Sequence, residues 1–271
     1  MKTRIISAAV LVPVLIIILL AAPEILAALV LGMLLAIAAY ELLYRTGLVT
    51  RVRLVGYSAA MAFAISMWSY WGAARAYFIL MLILFMGLLF MEMMLDHIKV
   101  HFEDISMCFV AGVIIPYLLS SLIRILMLSY GRYVILIPFI VAFMSDAGAY
   151  FVGLKFGKHK LAPVVSPNKT IEGMLGGIAS AVVSMVIYAF ILDLPLKCSV
   201  NYGFAILYGL IGSITGTFGD LCFSVIKRQT GIKDYGNLIP GHGGVLDRFD
   251  SLSLVAPLME VLILLMPIII L

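Results

Sequence analysis

Long apolar runs, broken by short polar stretches, follow one another along the whole chain. A helix needs about 20 predominantly apolar residues to cross the hydrocarbon of a bilayer. Nine stretches meet or approach that length, at approximately 5–21, 25–44, 54–71, 77–95, 105–127, 133–153, 171–192, 202–225 and 252–271. The pattern predicts an all-α, polytopic integral membrane protein of about nine transmembrane helices. The first run begins directly after Met1-Lys2-Thr3-Arg4 and no small-residue cleavage motif follows it, so it is expected to be retained. The hydropathy pattern shows no internal repeat, which weakens an inverted-repeat transporter reading.

Composition sharpens this picture. Of 271 residues, 64% are hydrophobic and only 12% charged, with a mean hydropathy of +1.19. Soluble domains are about half apolar and a quarter charged. Disorder, a coiled coil, a collagen-like chain and an ordinary soluble enzyme are therefore excluded. The three cysteines, Cys108, Cys198 and Cys222, are scattered and lack metal-ligand spacing.

The net charge of +4 matters less than where it sits. With the N-terminus placed inside, one set of loops holds Lys2, Arg4, Arg45, Arg51, Arg53, Lys99, Lys155, Lys158, Lys160, Lys169, Lys227, Arg228, Lys233 and Arg248. The opposite loops hold Arg75, Arg124, Arg132 and Lys197. Basic loops stay cytoplasmic, so the N-terminus is expected in the cytoplasm and the C-terminus outside, in a plasma (inner) membrane. Residues 1–130 read as structural helices, serving lipid access or dimer contact. Residues 131–271 read as a catalytic region with two long polar loops, at about 154–170 and 226–251, facing the cytoplasm.

The second of these loops concentrates the chemistry. Lys227-Arg228, Lys233-Asp234, His242, Gly243-Gly244, Asp247-Arg248 and Asp250 fall within one short run. Paired glycines can expose consecutive backbone N–H groups as an anion-binding nest, and a helix start just beyond would add its dipole. Asp247 and Asp250, three apart, share a helix face. Asp220 lies about 18 residues into its span, roughly 27 Å at 1.5 Å per residue, which brings it to the same inner edge. Carboxylates, cations and glycines together suit a metal-bound polyphosphate, with a hard cation such as Mg²⁺. Competing readings are a lipid-headgroup surface for the loop and a salt bridge from Asp220 to Lys227 or Arg228.

In the first loop, Ser166-Pro167 reads as the cap and first position of the seventh span. That places Lys169 in the first turn, where a cation is unfavourable unless an anion joins it. Asn168 lies beside it. Glu172 would orient Lys169 or contact metal or nucleotide. Asp146, about 13 residues into its span, serves either a metal, a nucleotide or a neighbouring helix. His97 and His101 read as a solvated turn, and His159 has no evident partner. Glycines spaced four apart at Gly153 and Gly157, Gly173 and Gly177, and Gly212 and Gly216 favour close helix packing, with a homodimer seam as the second reading.

These residues resemble the membrane phosphatidate cytidylyltransferases, also called CDP-diacylglycerol synthases. Ser224 through Asp250 matches the family's C-terminal signature at every fixed position, and Ser166-Pro167-Asn168-Lys169-Thr170-Ile171-Glu172-Gly173 is similar to its second segment. The resemblance implies that CTP and phosphatidic acid give CDP-diacylglycerol and pyrophosphate with Mg²⁺ as cofactor, in phospholipid biosynthesis without any nucleic-acid partner. It implies metal on Asp220 and Asp247, with Asp146 and Asp250 as further candidates. Lys227 and Arg228 would take the lipid phosphate. Ser166, Asn168, Lys169, Glu172, Lys233, His242, Gly243, Gly244 and Arg248 would serve substrate binding. A CTP-dependent lipid kinase and an ion transporter are the rivals; the long motif of CDP-alcohol phosphotransferases is absent.

Overall fold

The computed structural model describes residues 13–72, 74–196, 199–238 and 243–270. The chain is nearly all α. After helical residues 13–20 (α1) come α2 (Glu24–Tyr40), α3 (Val52–Trp71), α4 (Arg75–Leu95), α5 (Phe102–Phe109), α6 (Ile115–Leu119), α7 (Ser121–Leu126) and α8 (Gly131–Val134). Then follow α9 (Ile137–Phe156), α10 (Ile171–Leu196), α11 (Tyr202–Gln229), α12 (Leu246–Phe249) and α13 (Leu252–Leu265). Among the described residues, six helical stretches are long and apolar enough to cross a membrane: Glu24–Arg45, Arg75–Leu95, Phe102–Leu126, Gly131–Phe156, Ile171–Asp193 and Tyr202–Gln229. The stretch predicted at 54–71 is the helix α3, but it is not among these six. Much of the run predicted at 5–21 lies outside the described residues.

Two expectations are corrected. The last run, predicted to 271, is helical for only 14 residues, about 21 Å at 1.5 Å per residue and short of a full crossing. Met266 precedes Pro267, and a residue before proline is driven out of the α region; it sits at φ −135°, ψ 64°. Beyond it, Ile269–Ile270 (β4) pairs antiparallel with Ser199–Val200 (β3). The second correction is at Ser166–Thr170, a strand (β2) paired antiparallel with Lys160–Ala162 (β1), where a helical start was expected. Pro167 disfavours an α conformation at Ser166. Thr170 is the residue that caps α10: its Oγ1 accepts the Gly173 N–H at 3.1 Å.

The chain forms two compact units. One comprises Met1–Met127 with Gln229–Phe249, the other Leu128–Arg228 with Asp250–Leu271. The loop 229–249 belongs to the first unit. In the first unit, α2 and α3 pack along their lengths, and the Ser66 hydroxyl donates to the Ala28 carbonyl at 2.8 Å. In the second, α9 and α10 form the dominant pair. A Cβ on Gly177 would lie 2.7 Å from the Ser145 carbonyl oxygen, and one on Gly209 would lie 2.6 Å from the Val182 Cα. Gly153 faces Gly173, Gly157 meets Thr170 and Gly177 meets Ser145, while Gly212 and Gly216 face Val141, Met259 and Val255. These spacings serve packing inside the chain.

Candidate active site

In the second unit, α9, β2, α10 and α11 enclose a cavity of about 280 Å³. Asp146 enters from α9, Asn168 and Lys169 from β2, and Thr217 and Asp220 from α11. The Lys169 ammonium forms an ion pair with Asp220. One helical turn on, the Ser224 hydroxyl donates to Asp220 Oδ1 at 3.2 Å. The extended strand explains the Lys169 position: a strand residue beside the cavity can reach across to α11, whereas a first-turn helical lysine would sit against its own helix dipole.

Asp220 therefore pairs with Lys169, not with Lys227 or Arg228. Lys227 Nζ stands 4.0 Å from Asp250 Oδ2, with both side chains largely buried. Burial, and next the neighbouring Asp220 charge, push the Asp250 carboxyl up to about 7. Arg228 Nε donates to the Val165 carbonyl at 3.1 Å, tying the end of α11 to the segment before β2. Ser166 is half-buried in β2.

Glu172 does not orient Lys169. Its carboxylate turns to the loop after α9, taking the Lys158 N–H at 3.0 Å and bonding His159 Nδ1 at 2.6 Å. This supplies the partner for His159 that the sequence did not reveal. The β1–β2 hairpin brings the two together across 13 positions.

In the first unit, the loop 229–249 is organised around Asp247, which is 5% exposed. Its Oδ2 accepts the Tyr235 N–H at 2.8 Å and the Gly244 N–H at 3.0 Å. Gly243 sits at φ +86°, a left-handed backbone that side chains other than glycine rarely adopt. The expected nest of free amides is thus turned inward: the Gly244 N–H serves Asp247. Lys233 and Arg248 are exposed. His242 lies outside the described residues.

One participant was missed. Glu41, at the end of α2 and 3% exposed, accepts the Val245 N–H on Oε1 at 3.1 Å and the Leu246 N–H on Oε2 at 2.9 Å. An acid within an apolar run is expensive and usually functional or paired; that was the available signal.

Among the described residues, no group of three or more His, Cys, Asp or Glu side chains is placed to hold a metal ion. Mg²⁺, however, is commonly held by one or two carboxylates, with water and substrate phosphates completing the shell. The half-buried Asp220, with Asp250 nearby resisting ionisation, fits that demand, since an incoming cation would relieve their mutual repulsion.

Fold and cavity define the class: a helical, multi-pass membrane protein whose helices enclose a charged cavity. The model described as "Cytidylyltransferase family" matches residues 2–266, and the chain belongs to that family. It is 46% identical over 135 residues to a protein of Staphylococcus haemolyticus (strain JCSC1435) named phosphatidate cytidylyltransferase, covering 50% of each chain. A protein of the same name from Staphylococcus aureus (strain COL) is 42% identical over 135 residues, again 50% of each chain. The chain spans about half the length of the curated relatives it matches.

Proposed function

We propose that this protein transfers the cytidylyl group of CTP to phosphatidic acid, releasing pyrophosphate and leaving CDP-diacylglycerol. Family membership and the names of its relatives support the reading. The observation that carries it is the Lys169–Asp220 ion pair on the cavity wall. A magnesium–polyphosphate presents complementary charges to both partners, the phosphate to Lys169 and the cation to Asp220. Opening one internal pair thus creates two ligand contacts.

In this reaction a phosphatidate oxygen bonds to the α-phosphorus of CTP while the bond from that phosphorus to the pyrophosphate oxygen breaks. Phosphatidate is already ionised near neutral pH, so no general base is required. The protein's task is to align two polyanions and offset their repulsion. Lys169 and Asn168, with Lys233 and Arg248, are assigned to the CTP phosphates. Lys227 and Arg228 at the end of α11 are assigned to the lipid phosphate, their stems lying along acyl chains. Asp220 and Asp247 are the carboxylates assigned to metal, with Asp146 and Asp250 in support. Bound Mg²⁺ would supply charge neutralisation at the phosphates. Ser166 and Glu172 act through the hairpin that presents Lys169, and Gly243 through the conformation of the Asp247 loop.

The basic-loop asymmetry supports a cytoplasmic N-terminus and a site reached from the cytoplasm, and a lipid phosphate held at headgroup depth calls for access from the inner leaflet as well. The test is an assay of purified protein with phosphatidate and each of the four nucleoside triphosphates, with and without EDTA. CDP-diacylglycerol and pyrophosphate formed from CTP alone, and lost with EDTA, is the expected result. No lipid product from CTP would overturn the proposal.

A further inference from the structure

Glu41 stands in the half of the sequence that carries no part of the signature, yet it grips the signature loop. Its two carboxylate oxygens each take one of two consecutive N–H groups, Val245 and Leu246. A Cβ on either Gly236 or Gly244 would collide with this carboxylate. Glycine at both positions is thus explained by the room the Glu41 side chain requires. The next residue after this doubly held peptide is Asp247, whose Oδ2 accepts the Gly244 and Tyr235 N–H groups. The same turn is clamped twice: by Glu41 from α2 and by Asp247 from within the loop. The site's chemistry requires Asp247 to keep a fixed aim, and the backbone that sets this aim is anchored to a carboxylate about two hundred positions away in sequence.

We infer that Glu41 is a positioning residue for Asp247, so that the N-terminal helices help set the affinity of the site for its divalent cation. This rests on the reading of Asp247 as a metal-holding carboxylate. Glu41 itself touches no substrate; it acts through the Gly244–Leu246 backbone. Outer partners that orient metal-holding groups are commonly worth about 10- to 100-fold in metal affinity or activity.

The test uses full-length Glu41→Gln and Glu41→Asp proteins. The amide keeps the shape but turns one acceptor into a donor facing an N–H. The shorter acid keeps the charge but cannot reach both groups. Hydrogen exchange of peptides covering Gly243–Arg248 should accelerate about tenfold or more in Glu41→Gln, the scale of a lost charge-assisted hydrogen bond. The Mg²⁺ concentration for half-maximal turnover should rise about tenfold, with turnover recovering at excess Mg²⁺ and the KM for phosphatidate unchanged. Glu41→Asp should fall between wild type and Glu41→Gln in both measurements. Glu92→Gln, at a buried acid of the same unit held by Tyr57, should leave both at wild-type values. Unchanged exchange in Glu41→Gln would overturn the inference, as would faster exchange with an unaltered Mg²⁺ requirement. Should the wild type make no CDP-diacylglycerol, the functional reading fails separately. The Mg²⁺ dependence of loop exchange in wild type and Glu41→Gln, which needs no turnover, then decides the positioning role: a shift to higher Mg²⁺ supports it, coincident curves overturn it.

Discussion

Asp220 and Asp247 carry the same functional group, and the protein satisfies them in opposite ways. Asp220 stands half-buried on a cavity wall, its charge met by an ammonium at the end of a flexible stem. Asp247 is buried, and two backbone N–H groups meet its charge. A lysine can swing away when a better partner arrives; a peptide group in a clamped turn cannot. One carboxylate is therefore arranged to exchange partners, the other to keep its orientation. The two call for different responses to mutation, although the sequence suggests the same metal-holding role for both.

The largest expected effects come from deleting each acid. Asp220→Ala and Asp247→Ala should both lose at least about a hundredfold in cytidylyl transfer. They should separate in stability. Removing the Asp247 carboxylate orphans two buried N–H groups, at a cost of about 1–3 kcal/mol each, readable as a lower unfolding temperature in detergent. Removing Asp220 breaks a partly solvated pair worth about 0–1 kcal/mol, so its unfolding temperature should stay close to wild type. Equal destabilisation of the two variants would break the comparison.

A smaller effect is expected at the exchangeable partner. On the proposed assignment, Lys169→Ala removes one charged contact to the CTP phosphates, and such contacts are worth about 1.5–3 kcal/mol. The KM for CTP should rise by about tenfold or more, with little change in the KM for phosphatidate. A rise confined to phosphatidate would reverse the assignment of the two substrates. Smallest in its reach to the chemistry is Gly209→Ala. Its Cβ would press on the Val182 backbone, and such overpacking costs about 1–3 kcal/mol. It should lower the unfolding temperature while leaving both KM values unchanged.

Most of the fold was legible because apolar runs of spanning length leave little choice but helix, and the predicted runs at 25–44, 77–95, 105–127, 133–153, 171–192 and 202–225 correspond to the six long apolar helical stretches. The errors arose where a local signal had two meanings. Ser166-Pro167 looks like a helix cap, but proline also extends the residue before it, and Thr170 takes the cap four positions later. Pro267 ends α13 early by the same rule. The site's acids and lysines were legible as types in a spacing; their partners were not. Lys169 meets Asp220, and Glu41 meets a loop 204 positions away, through contacts that only the folded chain creates.

The measurement closest to the central claim follows the phosphorus atoms. Purified protein in detergent–phosphatidate micelles with Mg²⁺ should be given CTP labelled at either the α- or the γ-phosphate. The account predicts that the α label enters the lipid as CDP-diacylglycerol and that the γ label leaves as pyrophosphate. A γ label in the lipid, with CDP released, would contradict it and make the protein a CTP-dependent lipid kinase.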